Sequence, residues 1–239
     1  MSGVPQSMAG NGLLAAMPLG EMPDWRLQME LLPLALGQVL YEAGAPLGHA
    51  WFPTSAIVSL MYVTESGGSS QIAVVGHEGM VGIPLFMGDG STSGRAVVQC
   101  AGLAWRVRGT LLTRAFAQSA GVRTLLLHFT QALIAQMAQT AVCNRHHTVD
   151  QQLCRRLLTT LDRLPGPQLA ATQELISQLL GVRHEGVTAA ALALQRAGLI
   201  DYRRGHIEVL DRAALEARSC ECHAVVQAEY ARLLPPLAI

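Results

Sequence analysis

The sequence predicts an α+β chain in three successive parts: an N-terminal antiparallel β roll, a long helix, and a C-terminal segment of two short helices closed by a β hairpin. Three observations carry this. Residues 31–108 alternate short β-rich runs with glycine-marked turns. From Thr110 the apolar period lengthens to that of a helix, uninterrupted by proline before Pro165. Beyond Pro165-Gly166-Pro167, a capped helix, a glycine, a second helix and a basic hairpin follow in order.

In the first part the strand-like runs are Gln38–Tyr41, Ala50–Phe52, Ile57–Val63, Gln71–Val75, Ala96–Cys100 and Leu103–Val107. They are separated by Gly44, Gly67-Gly68, Gly76, Gly79, Gly82 and the stretch Gly88 to Gly94, the spacing of a small roll or barrel. Residues 1–25 are expected to be a flexible N-terminus and 26–118 the roll. Residues 119–147 are expected to form the dimerisation helix and 148–239 the last domain.

Ser119 is a suitable N-cap for the long helix. Within it Val122, Leu126, Phe129, Leu133 and Met137 recur at helical steps and make a narrow apolar stripe. Such a stripe serves either as plain core or as the seam with a second copy, and its narrowness over several turns favours the seam.

Composition narrows the function. The chain has 239 residues, half of them apolar, enough for two modest cores. The Leu13-Leu14-Ala15-Ala16 run is preceded by no basic residue, which argues against a secretion signal, and nothing approaches a membrane span, so a cytoplasmic location is expected. Residues 1–100 carry 2 arginines against 7 acids, while 101–239 carry 15 against 10. The C-terminal side is therefore the one suited to a polyanion. All the basic residues are arginine, a feature of genome composition that also suits phosphate and guanine contacts.

In the C-terminal segment Thr172 caps a helix from Gln173 to Leu180, Gly181 supplies the left-handed turn residue, and a second helix runs from His184 to Ala197 before Gly198. Asp201 to Leu210 then reads as a hairpin turning at Arg204-Gly205. This order is that of a winged helix-turn-helix, whose second helix enters the major groove. Arg183, His184, Glu185 and Thr188 are the expected base-reading residues, and Thr172, Gln173, Arg203, Arg204 and His206 the expected phosphate contacts.

The run Thr172-Gln173-Glu174-Leu175, Leu180-Gly181-Val182-Arg183-His184-Glu185-Gly186-Val187-Thr188 and Leu194-Gln195-Arg196-Ala197-Gly198-Leu199-Ile200 resembles the Crp/Fnr family of transcription regulators. Leu133 to Ala138 also resembles that family's dimer helix. The resemblance implies a cyclic-nucleotide-binding-like roll, a homodimer and double-stranded DNA as partner, with RNA polymerase a further one. By position it lays the family's base-reading arginine and glutamate on His184 and Glu185, while another base-contacting arginine falls on Ala189. Arg183 stands where the family usually has a small hydroxyl cap, whose loss costs about 1 kcal/mol and could be offset by a DNA phosphate.

The roll departs from the cyclic-nucleotide pattern. Gly82-Ile83-Pro84 and Arg95-Ala96 stand where the resemblance implies a ribose-binding glutamate and an arginine-hydroxyl pair. Gly82, Ile83, Arg95 and Ala96 thus mark a degenerate ligand pocket. Ordinary cyclic AMP binding is not expected, and Arg95 is read as a solvated loop residue that could receive an anion.

Cys100, Cys143, Cys154, Cys220 and Cys222 are read as reduced thiols, with thiol redox sensing left open. No cysteine lies near the N-terminus, where the family's iron-sulfur sensors usually carry theirs. Cys220-Glu221-Cys222-His223 and Cys143-Asn144-Arg145-His146-His147 each hold metal-capable groups, but neither has a second zinc half-site at usual spacing, so no metal and no cofactor are expected. Two alternatives stand beside the regulator. A metal-dependent cupin-like enzyme would have to build on His49 and His77 in the roll, and a dimeric scaffold without DNA binding would bury the arginine surfaces.

Overall fold

The computed structural model describes residues 10–18 and 23–236. It divides into two compact units, one taking in residues up to Leu60, Val74–Ile134 and those from Glu229, the other Met61–Ala73 and Ala135–Ala228.

Two short helices, α1 (Gly12–Ala15) and α2 (Pro23–Gln28), precede the strands β1 (Glu30–Leu34), β2 (Val39–Tyr41), β3 (His49–Pro53), β4 (Ile57–Val63) and β5 (Ser69–Val75). The short helix α3 (Pro84–Met87) separates these from β6 (Arg95–Cys100) and β7 (Gly102–Arg108). One antiparallel sheet has the order β1-β7-β3, the other β2-β6-β4-β5. Alternation sets their inner faces: Phe52, Ile57, Val75, Val98 and Val107 are all fully buried. The six strand-like runs of the roll are thus all strands, and β1 joins them because Glu30–Leu34 pairs with β7 from Glu30↔Arg106 to Leu34↔Gly102.

The reading of residues 1–25 as flexible fails over residues 10–18. Asn11 is buried, its side chain donating to the carbonyls of Pro53 and Gly79 at 2.7 and 2.8 Å while accepting from the Leu14 amide at 2.9 Å. That clamp seats Leu13 and Leu14 in the core. Residues 1–9 and 19–22 lie outside the described residues.

Helix α4 (Gly109–Gln118) leads into the long α5 (Ala120–His146), whose Val122 amide is capped by the Ser119 hydroxyl at 3.3 Å. The stripe assigned to the dimer seam needs correction. Val122, Leu126, Phe129 and Leu133 have no exposed surface within the single chain, and Met137 is half-buried. Phe129 lies so close over Gly79 that a Cβ there would sit 2.2 Å from its ring, so this stripe is core. The free apolar edge of α5 is a different face: Leu127, Ile134 and Val142 are 43%, 54% and 45% exposed. Exposed Ala138 and Ala141 continue the edge, and the steps 127, 131, 134, 138, 141 have the alternating four and three of a helix pair.

The C-terminal unit is built on α6 (Val149–Leu161), started by a capping box between Thr148 and Gln151. Strand β8 (Gln168–Ala170), α7 (Gln173–Leu180), α8 (His184–Arg196), β9 (Ile200–Arg203), β10 (His206–Val209), α9 (Arg212–Arg218) and α10 (Cys222–Leu233) follow. Leu153, Leu157, Leu158, Ile176, Val187, Leu194, Ile200, Ile207 and Leu215 share one core. Polar contacts lock its edges: Arg218 pairs with Asp150 at 2.7 Å, Arg212 pairs with Asp162, and His223 Nε2 lies 2.8 Å from the same Asp162 carboxylate.

Candidate nucleic-acid interface

The turn between α7 and α8 is made by Gly181, at φ 67° and ψ 30°, whose amide and that of Val182 return to the Ser177 carbonyl. Only glycine adopts that conformation without a steric cost, so this one position sets the angle between the two helices. Thr172 caps α7 by accepting from the Leu175 amide at 3.1 Å.

The wing is a two-residue hairpin. Arg203 pairs with His206, and both loop residues have positive φ, Arg204 at 51° and Gly205 at 78°. These are the signs of the tight turn that suits twisted strands. The wing is tied to the start of α7 by the Tyr202 hydroxyl donating to the Ala171 carbonyl at 3.0 Å and by the Ala171 amide donating to the Gly205 carbonyl at 2.8 Å. Strand β8, not anticipated from the sequence, adds the third strand through Leu169↔Ile207.

These elements enclose an open cleft of about 420 Å³ lined by Thr172, Gln173, Glu174, His184, Tyr202, Arg204 and Gly205. On its α8 side Arg183, His184 and Glu185 are exposed at the first turn. No side chain caps α8 at Arg183, so its first amides face outward without that partner. On the wing, Arg203, Arg204 and His206 are exposed; Arg203 is paired to Asp201 at 2.9 Å, whereas Arg204 has no polar partner among the described residues.

Two expected contact residues are engaged within the protein. The Thr188 hydroxyl donates to Gln173 Oε1 at 2.8 Å and lies 3.1 Å from the His184 carbonyl, so this pair ties α7 to α8. Their contact holds α8 against α7.

In the roll, Gly82 is buried at φ 120°, and Ile83 opens α3 with Pro84 behind it. Ala96 is fully buried. Arg95 heads β6, and its guanidinium is paired to Glu42 at 3.0 Å. The solvated-loop reading of Arg95 is corrected by that strand position and that carboxylate. The Glu42 partnership is hidden in the sequence because the two residues are 53 positions apart.

The five cysteines divide in three, Cys100 standing apart as the half-buried last residue of β6. Cys154 is core, and burial pushes its thiol up to about 12. Cys143, His147, Cys220 and Cys222 gather, with one potential ligand atom from each lying within 4.8 Å of the others. The two motifs that each lacked a second half-site thus meet in space. His49 begins β3 and His77 follows β5, and neither belongs to that group.

Residues 151–218 match the family model for the Crp-like helix-turn-helix domain. No curated protein matches the chain by sequence. Among solved structures the chain is similar to a Crp/Fnr-family transcriptional regulator from Eubacterium rectale, at 15% identity and TM-score 0.70 over 88% of this chain and 99% of that one. It is likewise similar to FixK2 of Bradyrhizobium japonicum, at 15% identity and TM-score 0.67 over 80% and 98%. A CRP-family transcriptional regulator from Thermus thermophilus gives 15% identity and TM-score 0.66 over 79% and 96%. Residues 151–218 are therefore a Crp-like helix-turn-helix domain, set in a chain with the fold of the Crp/Fnr-type transcriptional regulators.

Proposed function

We propose that this chain is a sequence-specific DNA-binding transcription regulator that acts as a homodimer on a palindromic operator, without ordinary control by cyclic AMP. One observation carries the reading: the first turn of α8 and the basic tip of the wing flank the same open cleft, with His184 and Arg204 both lining it. Arg183 and Glu185 beside it reach base edges, a glutamate accepting from a cytosine amino group and an arginine donating to guanine. Arg204 and the exposed His206 meet phosphates, as does the uncapped start of α8.

The homodimer forms along the free edge of α5, through Leu127, Ile134, Ala138, Ala141 and Val142. A twofold dimer asks for half-sites about 10 bp apart. The scaffold alternative needs the arginine surfaces buried, and Arg183, Arg203 and Arg204 are exposed. No helix among the described residues is long and apolar enough to cross a membrane, which fits action in the cytoplasm. In the roll, Glu42 already holds the arginine that a nucleotide phosphate would claim, and buried Ala96 offers no hydroxyl.

The test is selection of bound DNA from a random pool by the full chain without added nucleotide, repeated with Glu185→Ala. A palindrome that relaxes at one symmetric position in the variant is the expected result. Absence of any enriched motif, with and without added nucleotides, would refute the reading.

A further inference from the structure

We propose that Cys143, His147, Cys220 and Cys222 bind a single zinc ion that fastens the two ends of the helix-turn-helix domain together. The geometry points to one small tetrahedral site. With zinc-sulfur bonds of about 2.3 Å and zinc-nitrogen bonds of about 2.0 Å, a tetrahedron has sulfur-sulfur edges of about 3.8 Å and sulfur-nitrogen edges of about 3.5 Å. Cys143 Sγ and Cys220 Sγ are 3.6 Å apart, and Cys222 Sγ is 3.5 Å from His147 Nδ1. An iron-sulfur cluster spreads its ligands around several irons, whereas these four atoms enclose room for one ion. Soft thiolates with one imidazole, all supplied by the protein, are a closed structural set for zinc.

The surroundings are those of a metal centre. His147 Nε2 lies 3.4 Å from Glu221 Oε2, so a carboxylate stands beside the ring nitrogen that ligation through Nδ1 would leave free. Gln139 Nε2 donates to Cys222 Sγ at 3.1 Å, a contact that suits a thiolate. Three thiolates on a divalent ion leave one negative charge. Burial pushes the Cys143 thiol up, the positive charge of Arg155 opposes that shift, and the buried Arg155 Nε has no hydrogen-bond partner among the described residues. The three cysteines are buried and His147 is half-buried, so the centre is shielded from solvent.

Its place in the chain gives the site a purpose. Cys143 lies in the last turns of α5 and His147 just beyond them, whereas Cys220 and Cys222 flank the start of α10. The matched segment, residues 151–218, lies between the two halves. One ion therefore closes a loop of 77 residues around the DNA-binding domain. Binding requires the thiols to release their protons, so affinity rises with pH.

The full chain, purified under reducing, oxygen-free conditions and given zinc alone, tests this. About one zinc per chain that survives desalting is expected, with X-ray absorption reading three sulfurs and one imidazole around it. Cobalt in its place should give the visible bands of a tetrahedral ion and a near-ultraviolet thiolate charge-transfer band. Cys222→Ser and His147→Ala should each lose most of the bound metal, and Cys100→Ser should keep it. The proposal is overturned if the wild-type chain holds no zinc, if its zinc is ligated only by nitrogen and oxygen, or if a Cys143–Cys220 disulfide forms and the reduced chain still binds none.

Discussion

Replacing Ile134 by glutamate separates the two faces of α5 most directly. Fully burying a side chain of this size is worth about 1.5–3 kcal/mol. Ile134 is 54% exposed in the single chain, so covering the remainder in a dimer contributes about 1 kcal/mol per copy. A twofold seam counts the residue twice, which gives about 2 kcal/mol and a dissociation constant raised about 30-fold. Two carboxylates facing each other across the seam add to this. Sedimentation equilibrium of Ile134→Glu against the parent chain reads the change, while thermal unfolding at concentrations where both chains are monomeric should be little altered because the residue supports no core. Leu133→Ala is the counterpart. Leu133 has no exposed surface, so its truncation should cost about 2–5 kcal/mol of folding stability through the cavity it leaves. If Ile134→Glu dimerises as tightly as the parent chain, the free edge of α5 is not the seam.

Arg204→Ala should weaken binding to all DNA sequences alike and reduce the salt dependence of log K by about two units for the dimer, one phosphate contact being lost per copy, measured by fluorescence anisotropy at several salt concentrations; Arg203→Ala should do less because Asp201 already pairs with Arg203. Gly181→Ala places a side chain at φ 67° and should cost about 1 kcal/mol in denaturant unfolding, with DNA affinity falling as the angle between α7 and α8 shifts. Burial favours the protonated form of Asp162, but hydrogen bonds from His223 and Arg212 outweigh it and hold the carboxyl below its ordinary 3.8. Its contribution is therefore present above pH 3.8 and lost as pH falls through the lower folded value, so Asp162→Asn should lower stability by about 2 kcal/mol at neutral pH and flatten the acid limb of a stability–pH curve. Gly79→Ala drives a methyl into the Phe129 ring and should cost about 1–3 kcal/mol in the same denaturation assay.

What can be read from the sequence is local. The helix from Gln173 to Leu180, the start of α8 at His184 and the turn at Arg204-Gly205 are set by caps, a left-handed glycine and a two-residue loop, all of which act within a few residues. β1 escapes such a reading because Pro33 interrupts its run and Glu30 opens it, while its pairing with β7 depends on residues about 70 positions away. The stripe from Val122 to Leu133 is legible, but its partner is not. Period alone says that a face is apolar and is silent on whether the chain's own roll or a second copy covers it. Phe129 over Gly79 settles that for this face, and the narrower edge through Leu127 and Ile134 is masked because alanines and Gln131 dilute it.

The same limit explains the cysteines. Zinc motifs are recognised by two half-sites at short spacing, because a metal site built on one turn or knuckle brings its ligands together locally. Here each half supplies two ligands, and the second half lies 77 residues away on the far side of a folded domain. Cys143 and His147 are four residues apart across the end of a helix, and Cys220 and Cys222 two apart at a helix start, spacings that permit two ligands to converge without requiring it. Only the packing of α6 and α9 on the common core, with Arg218 bound to Asp150, fixes where the second pair falls. The domain that reads DNA and the cluster that would staple it are consequently not independent features. The folding of residues 151–218 assembles the four ligands, and an ion held by them would stabilise that fold in return.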